Sequence, residues 1–152
     1  MSQHERTGKR CMVFSGWRRQ QGKSLLDSRH TAIDVDFCEY CDIHRIPLAL
    51  IECVRAWSAD NLLETISGKS ATITTKLAKQ AGIDAFIVAY VPKSDDEIEY
   101  AMYRDLITLQ TSEILDSSGL SRFIDLIHRS CRSCKEVEKN CGSEFTYWNE
   151  KV

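Results

Sequence analysis

The fold is decided by the stretch Thr31–Arg55, which reads TAIDVDFCEYCDIHRIPLALIECVR. Side-chain polarity alternates over Ile33–Tyr40, and Pro47–Val54 is a short apolar run, with the polar connection DIHR between the two segments. A period of two is typical of a strand with one buried face, and a short apolar run is typical of a fully buried strand. The stretch therefore predicts two paired strands.

Acidic side chains on these two strands are the first candidates for chemistry. Because strand side chains repeat every two residues, Asp34 and Asp36 share one face of the first strand. Glu52 is the only carboxylate of the second strand, where a charge is costly to bury unless it is paired or binds a metal. Asp36 and Glu52 therefore form a candidate site for one divalent cation, with Asp34 as a third ligand or in place of Asp36. The alternative is that the aspartates face solvent and that Glu52 pairs with an arginine.

These motifs resemble those of the PD-(D/E)xK nuclease superfamily, and they are most similar to short phage- and prophage-type proteins. The motifs are DVDF-x-EY at residues 34–40 and PLALIE at 47–52, and the similarity continues through residues 73–91. The resemblance implies an α/β (α+β) fold with a restriction-endonuclease-like core, a small mixed sheet flanked by helices. It also implies cleavage of nucleic acid, with DNA favoured, and Mg²⁺ or Mn²⁺ as the cofactor.

The resemblance also suggests roles for individual residues. In that family an aspartate and a glutamate hold the metal, and a lysine two residues after the glutamate orients and activates the attacking water. The matching positions here are Asp36 (or Asp34) and Glu52, but Val54 stands where the lysine should be. Lys76, on the helix predicted between the two central strands, is the best-placed substitute. Its alternative role is that of a residue on a solvated helix face.

Two functions from different classes are compatible with this pattern. The first is a Mg²⁺-dependent nuclease in which Lys76 replaces the missing lysine. The second is a catalytically inactive binding module of the same fold, which contacts nucleic acid or a host or phage protein. Val54 favours the second function, and the presence of both acidic positions favours the first.

The distribution of charge is uneven along the chain. Residues 1–30 contain seven lysines and arginines against two acidic residues, whereas the whole chain has a formal net charge of −2. A basic segment on an acidic body suits contact with phosphates, for which Arg18, Arg19 and Lys23 are the candidates. The alternative is a disordered, solubilising N-terminus. The expected divisions are a mobile basic arm at 1–11, a nuclease-like α/β domain at 12–130 and a Cys-rich tail at 131–152.

The seven cysteines suggest metal ligation rather than disulfides, because no secretory signal accompanies them. Two C-x-x-C pairs are present, at Cys38–Cys41 and Cys131–Cys134, and two such pairs often hold one structural Zn²⁺. The alternative is that the cysteines pack as small apolar side chains. The predicted zinc ligands are Cys41, Cys131, Cys134 and either Cys141 or His44.

The remainder of the chain predicts a helix, a strand, an edge strand and a last helix. The helix covers Ala71–Ala81 with Gly82 as its left-handed cap, and the strand Ala85–Val91 is expected to stop at Pro92. A helix between two strands allows them to be parallel neighbours. The apolar stripe predicted on the helix consists of Ile73, Leu77, Ala78 and Ala81.

Length and hydropathy limit the class of protein further. A chain of 152 residues with 43% apolar content supports one globular domain with a real core. The longest apolar run is far shorter than the roughly 20 residues needed to cross a bilayer. We therefore expect a cytoplasmic protein that makes no membrane contact.

Overall fold

The computed structural model describes Gln20 and residues 35–140, with side chains as far as Glu136. The chain divides into two compact units, Met1–Asp34 and Val35–Val152, and the second contains every element given below. Its strands are β1 (Phe37–Cys41), β2 (Ile46–Arg55), β3 (Asp84–Ser94) and β4 (Glu97–Asp105). Its helices are α1 (Leu62–Gly68, after a 3-10 turn at Ala59–Asn61), α2 (Thr72–Ala81), α3 (Ser117–Arg129) and α4 (Arg132–Asn140).

The four strands form one mixed sheet in the order β1-β2-β3-β4. Strand β1 pairs antiparallel with β2, β2 pairs parallel with β3, and β3 pairs antiparallel with β4. The parallel pair is possible because α1 and α2 form the crossover between β2 and β3. The expected α/β fold, a small mixed sheet with helices, is confirmed.

Helices α1 and α2 cover one face of this sheet. Leu62 and Ile66 of α1 are fully buried and pack in a cluster with alternate residues of β3. Ala78 of α2 packs against Leu50 of β2 and Ala85 of β3. These contacts follow from the period of two, which sends every second side chain of a central strand toward the same helices.

Helix α3 covers the opposite face. Phe123 and Ile127 are buried there in a cluster that includes Ile51 of β2 and Phe86 of β3. The ring of Phe123 stacks on Tyr103 of β4, with the centroids 3.9 Å apart and an interplanar angle of 12°. It also meets Phe86 edge to face at 4.9 Å. The aromatic contacts therefore fix α3 over the middle of the sheet.

The predicted apolar stripe of α2 is confirmed at Ala78 and wrong at its other three residues. Thr74 and Ala78 are its buried residues, whereas Ile73 and Leu77 are 53% and 45% exposed and Ala81 is also exposed. A small residue and a hydroxyl turn toward the sheet because the hydroxyl has a polar partner there. The predicted cap is confirmed, since Gly82 has φ of 69°.

Strand β3 does not stop at Pro92. It continues to Ser94, and its pairing with β4 shifts register on both sides of the proline. Proline donates no ladder hydrogen bond, and irregular pairing of this kind is where a strand tolerates it. The strand and the crossover were predictable, but the end of the strand was not.

No helix in the described part of the chain has the length and apolar character that a bilayer crossing requires.

Candidate functional site

Glu52 lies in the middle of strand β2 and is buried, with 7% of its surface exposed. The hydroxyl of Thr74, on helix α2, donates a hydrogen bond to its Oε1 atom. Within residues 35–136 no lysine or arginine forms an ion pair with this carboxylate. A buried carboxylate held by a neutral donor is an unusual use of a core position.

Asp36 lies just before strand β1 and is exposed. Its Oδ2 atom accepts a hydrogen bond of 2.7 Å from the backbone N–H of Cys53 in strand β2. Strand β1 begins with the pair Phe37–Ile51, so Asp36 lies in the bend just before it, at the level of the residues that follow Ile51 in β2. The two acidic residues thus lie near each other at one end of the β1–β2 pair.

The pKa of the Cys53 thiol is affected by the charges near this acidic pair. Burial raises its pKa to about 11, and the negative charges of Asp36 and Glu52 contribute to the increase. The positive charge of Lys69 acts in the opposite direction and lowers the pKa. Both carboxylates and one ammonium group therefore act on the same half-buried thiol.

Lys69, whose positive charge lowers the pKa of the Cys53 thiol, was not predicted as a site residue. It follows the last residue of α1, is exposed, and its backbone N–H bonds to the carbonyl of Ile66.

Lys76 was predicted as the substitute for the missing lysine, but its side chain is exposed. It is two residues after Thr74, which is a rotation of about 200° around α2. Because Thr74 faces Glu52, Lys76 leaves the helix on the other side. Val54, at the position of the family's lysine, packs with the α1 cluster.

Three cysteines and one histidine form a second cluster at the end of strand β1. Cys41 is the last residue of β1, and His44 lies in the turn that leads into β2. Cys131 connects α3 to α4, and Cys134 lies in the first turn of α4. The sulfur and nitrogen donor atoms of the four residues all lie within 4.8 Å of one another, so the cluster could bind a structural metal such as zinc.

The individual distances show a compact donor set. His44 Nδ1 is 3.5 Å from Cys41 Sγ, 3.3 Å from Cys134 Sγ and 4.0 Å from Cys131 Sγ. Cys41 Sγ and Cys134 Sγ are 3.6 Å apart. Cys41 and Cys131 are buried, and His44 and Cys134 are half-buried. The donors therefore converge on one point from two separate parts of the chain.

The histidine also changes the acidity of the thiols. Hydrogen bonds from the backbone and the imidazole of His44 lower the pKa of Cys41. The pKa of Cys134 is raised, first by its hydrogen bond to Cys41 and then by burial. The cluster thus favours one thiolate at Cys41 and resists a second at Cys134 as long as no cation is present.

Cys38, the other cysteine of the first C-x-x-C pair, is not part of the cluster. Cys38 is exposed, and its thiol contacts the carbonyl oxygen of Glu39. The alternation of β1 places Cys41 on the same α3 face as Glu39, where His44 supplies the donor three residues later. His128 is not part of the cluster, because its Nε2 atom lies 2.7 Å from the carboxylate of Glu39.

Several predicted residues lie outside the described part of the chain. They include the possible third acidic ligand, the alternative fourth zinc ligand and the candidate phosphate contacts. These residues are Asp34, Cys141, Arg18, Arg19 and Lys23.

The sequence pointed to His44 as a site residue but not to Thr74 or Lys69. Two residues separate Cys41 from His44, as two residues separate Cys131 from Cys134, and this spacing made His44 a possible ligand. Nothing local to Thr74 or Lys69 indicated a role, because their partners lie in other elements.

Comparisons with protein-family models, with curated proteins and with solved structures find no match to this chain.

Proposed function

We propose that this protein is a metal-dependent phosphodiesterase of the PD-(D/E)xK type that cleaves nucleic acid. The observation that carries the proposal is the hydrogen bond from the backbone N–H of Cys53 to Asp36, which brings this carboxylate next to the residue that follows Glu52 in β2. The resemblance in motifs names these two carboxylates as the metal ligands. Their proximity supports that assignment.

The chemistry of the two donors fits Mg²⁺ or Mn²⁺. Mg²⁺ takes one or two carboxylates and keeps several waters or substrate oxygens as its other ligands. Glu52 is a fixed, buried donor, and Asp36 is exposed on the side from which solvent and a phosphate can approach. When bound, the ion would polarise the phosphate and lower the pKa of a water.

The chain's own residues would orient these ligands and attract the substrate. Thr74 holds one oxygen of Glu52, and the N–H of Cys53 holds one oxygen of Asp36, so neither carboxylate rotates freely. Lys69 brings positive charge to the same region, where Val54 offers none. We therefore assign to Lys69, rather than to Lys76, the attraction of the phosphate.

A cleavage assay tests this function. Plasmid DNA, single-stranded DNA and RNA are incubated with the full chain and Mg²⁺ or Mn²⁺, and with the variants Asp36→Asn and Glu52→Gln. Both variants should reduce cleavage to background, while Glu64→Gln, an exposed glutamate on α1, should retain it. Cleavage that survives Glu52→Gln would contradict the proposal.

The inactive binding module is the second candidate function. Val54 in the place of the lysine and the outward direction of Lys76 favour it. Its partner would be nucleic acid, contacted through Arg18, Arg19 and Lys23, or a host or phage protein. Fluorescence anisotropy with labelled DNA separates the two functions. Binding without cleavage, unchanged in Asp36→Asn and Glu52→Gln, would support the module and overturn the phosphodiesterase.

A further inference from the structure

We propose that Cys41, His44, Cys131 and Cys134 bind one Zn²⁺ as a structural centre of three thiolates and one imidazole. The centre joins the β1–β2 turn to the start of helix α4. It shares no residue with the acidic pair. Its failure and the failure of the proposed function can therefore be told apart.

The spacing of the donors matches a tetrahedral zinc ion. Zn–S bonds of about 2.3 Å and Zn–N bonds of about 2.0 Å place two sulfurs about 3.8 Å apart and a sulfur and a nitrogen about 3.5 Å apart. The corresponding distances are 3.6 Å between Cys41 and Cys134, and 3.3, 3.5 and 4.0 Å from the nitrogen of His44. Small adjustments of side chains would complete the geometry.

The donor types select zinc and a structural role. Thiolates together with an imidazole suit Zn²⁺ better than Mg²⁺ or Ca²⁺, which prefer oxygen. Four protein donors leave no position for water or substrate, which is typical of structural rather than catalytic zinc. Binding converts thiols to thiolates and releases their protons to solvent. With a neutral imidazole the loaded site carries one negative charge.

A disulfide explains the cluster less well. It would use two of the three sulfurs and leave the third thiol and the imidazole without a role. All three cysteines have free thiols in the structure. The C-x-x-H pair, Cys41 and His44, lies at the turn after β1, and the C-x-x-C pair, Cys131 and Cys134, lies at the start of α4. In both places donors three positions apart can bind one ion.

The ion would hold elements that are far apart in sequence. Cys41 and Cys134 are separated by 93 positions, so their connection closes most of the described chain into a loop. Helix α4 has nine residues, RSCKEVEKN, fewer than the roughly 12 to 15 at which an isolated helix becomes stable in water. We therefore expect α4 to depend on the zinc for its order.

Metal analysis of the full chain tests the ligand set. Protein purified under reducing conditions should contain about one Zn²⁺ per chain. Cys134→Ser and His44→Ala should lose the metal, and His44→Cys should restore it. Cys38→Ser, Cys53→Ser and Cys141→Ser should keep it. Loss of zinc in Cys141→Ser with retention in His44→Ala would overturn the assignment of His44.

Measurements on the unmodified chain cover the case in which a variant fails to fold. X-ray absorption of the zinc-loaded protein should show three sulfurs at about 2.3 Å and one nitrogen at about 2.0 Å. Chelation should speed amide hydrogen exchange in residues 132–140 and in the 42–45 turn, and should not speed it in β3. A reduced chain that takes up neither Zn²⁺ nor Co²⁺, or a Cys41–Cys134 disulfide found by mass spectrometry, would overturn the proposal.

Discussion

The hydroxyl of Thr74 donates a hydrogen bond to the buried carboxylate of Glu52, which joins helix α2 to the middle of strand β2. This contact explains why α2 presents Thr74, and not Ile73 or Leu77, to the sheet. A fold selected for stability alone would place apolar residues at both positions. The buried pair is one reason why we propose Glu52 as a metal ligand.

Removing the hydroxyl of Thr74 should destabilise the protein. Thr74→Val keeps the shape but leaves a buried carboxylate oxygen without its donor, which costs about 1–3 kcal/mol of unfolding free energy. Urea denaturation measures the change. Thr75→Val is the matched control, because among the described residues the Thr75 hydroxyl bonds to the Ala71 carbonyl of its own helix turn and to no carboxylate. Equal decreases in the free energy of unfolding for the two variants would show that the Thr74–Glu52 hydrogen bond does not stabilise the fold more than the Thr75 hydrogen bond does.

The aromatic contacts of helix α3 predict a large and local effect on stability. Phe123→Ala removes the ring that stacks on Tyr103 and meets Phe86, and should cost about 3–5 kcal/mol. Leu126→Ala on the same helix is the control, since Leu126 is 66% exposed, and it should change stability by less than about 0.5 kcal/mol. Thermal unfolding of both variants provides the comparison. A small effect of Phe123→Ala would mean that α3 is not fixed by this ring.

Asp84 predicts a dependence of stability on pH. Burial and the negative charge of Asp105 raise its pKa in the folded protein, so ionisation of Asp84 opposes folding above the pKa of the unfolded chain. Asp84→Asn should therefore raise the unfolding temperature at pH 7. The gain should shrink as the pH falls and vanish below the unfolded pKa of about 3.9. Asp95→Asn, in the exposed β3–β4 turn, is the control for removal of one surface carboxylate. A gain for Asp84→Asn that is constant with pH would contradict this.

The two lysines should differ in their effect on cleavage. Lys69→Met should lower the rate by at least about 10-fold, because it removes a positive charge that acts on the same thiol as the charges of Asp36 and Glu52. Lys76→Met should leave the rate unchanged, since Lys76 faces away from Glu52. Single-turnover cleavage with saturating enzyme measures both rates. The reverse order of effects would restore Lys76 as the substitute for the missing lysine.

The sequence carried the parts of the fold that depend on local pattern. The alternation before Cys41, the apolar run of β2 and the glycine cap at Gly82 are each properties of a few consecutive residues. They predicted the two strands and the cap, although β1 begins only at Phe37, after Val35 and Asp36. The buried face of α2 was not, because Thr74 is turned inward by a carboxylate 22 positions away. The same limit applies to both sites. The convergence of Cys41 and His44 on Cys131 and Cys134 depends on how α3 packs on the sheet, and the role that we propose for Lys69 depends on where α1 ends.

The proposal that Asp36 and Glu52 hold one divalent cation is tested most directly by a Mn²⁺ titration followed by electron paramagnetic resonance. Zinc-loaded protein is used, so that the cysteine cluster does not take up the added ion. The wild-type chain should bind about one Mn²⁺ at a site that is lost in both Asp36→Asn and Glu52→Gln and retained in Lys76→Met. Equal Mn²⁺ binding by the wild type and both acidic variants would contradict the assignment of Asp36 and Glu52 to one metal.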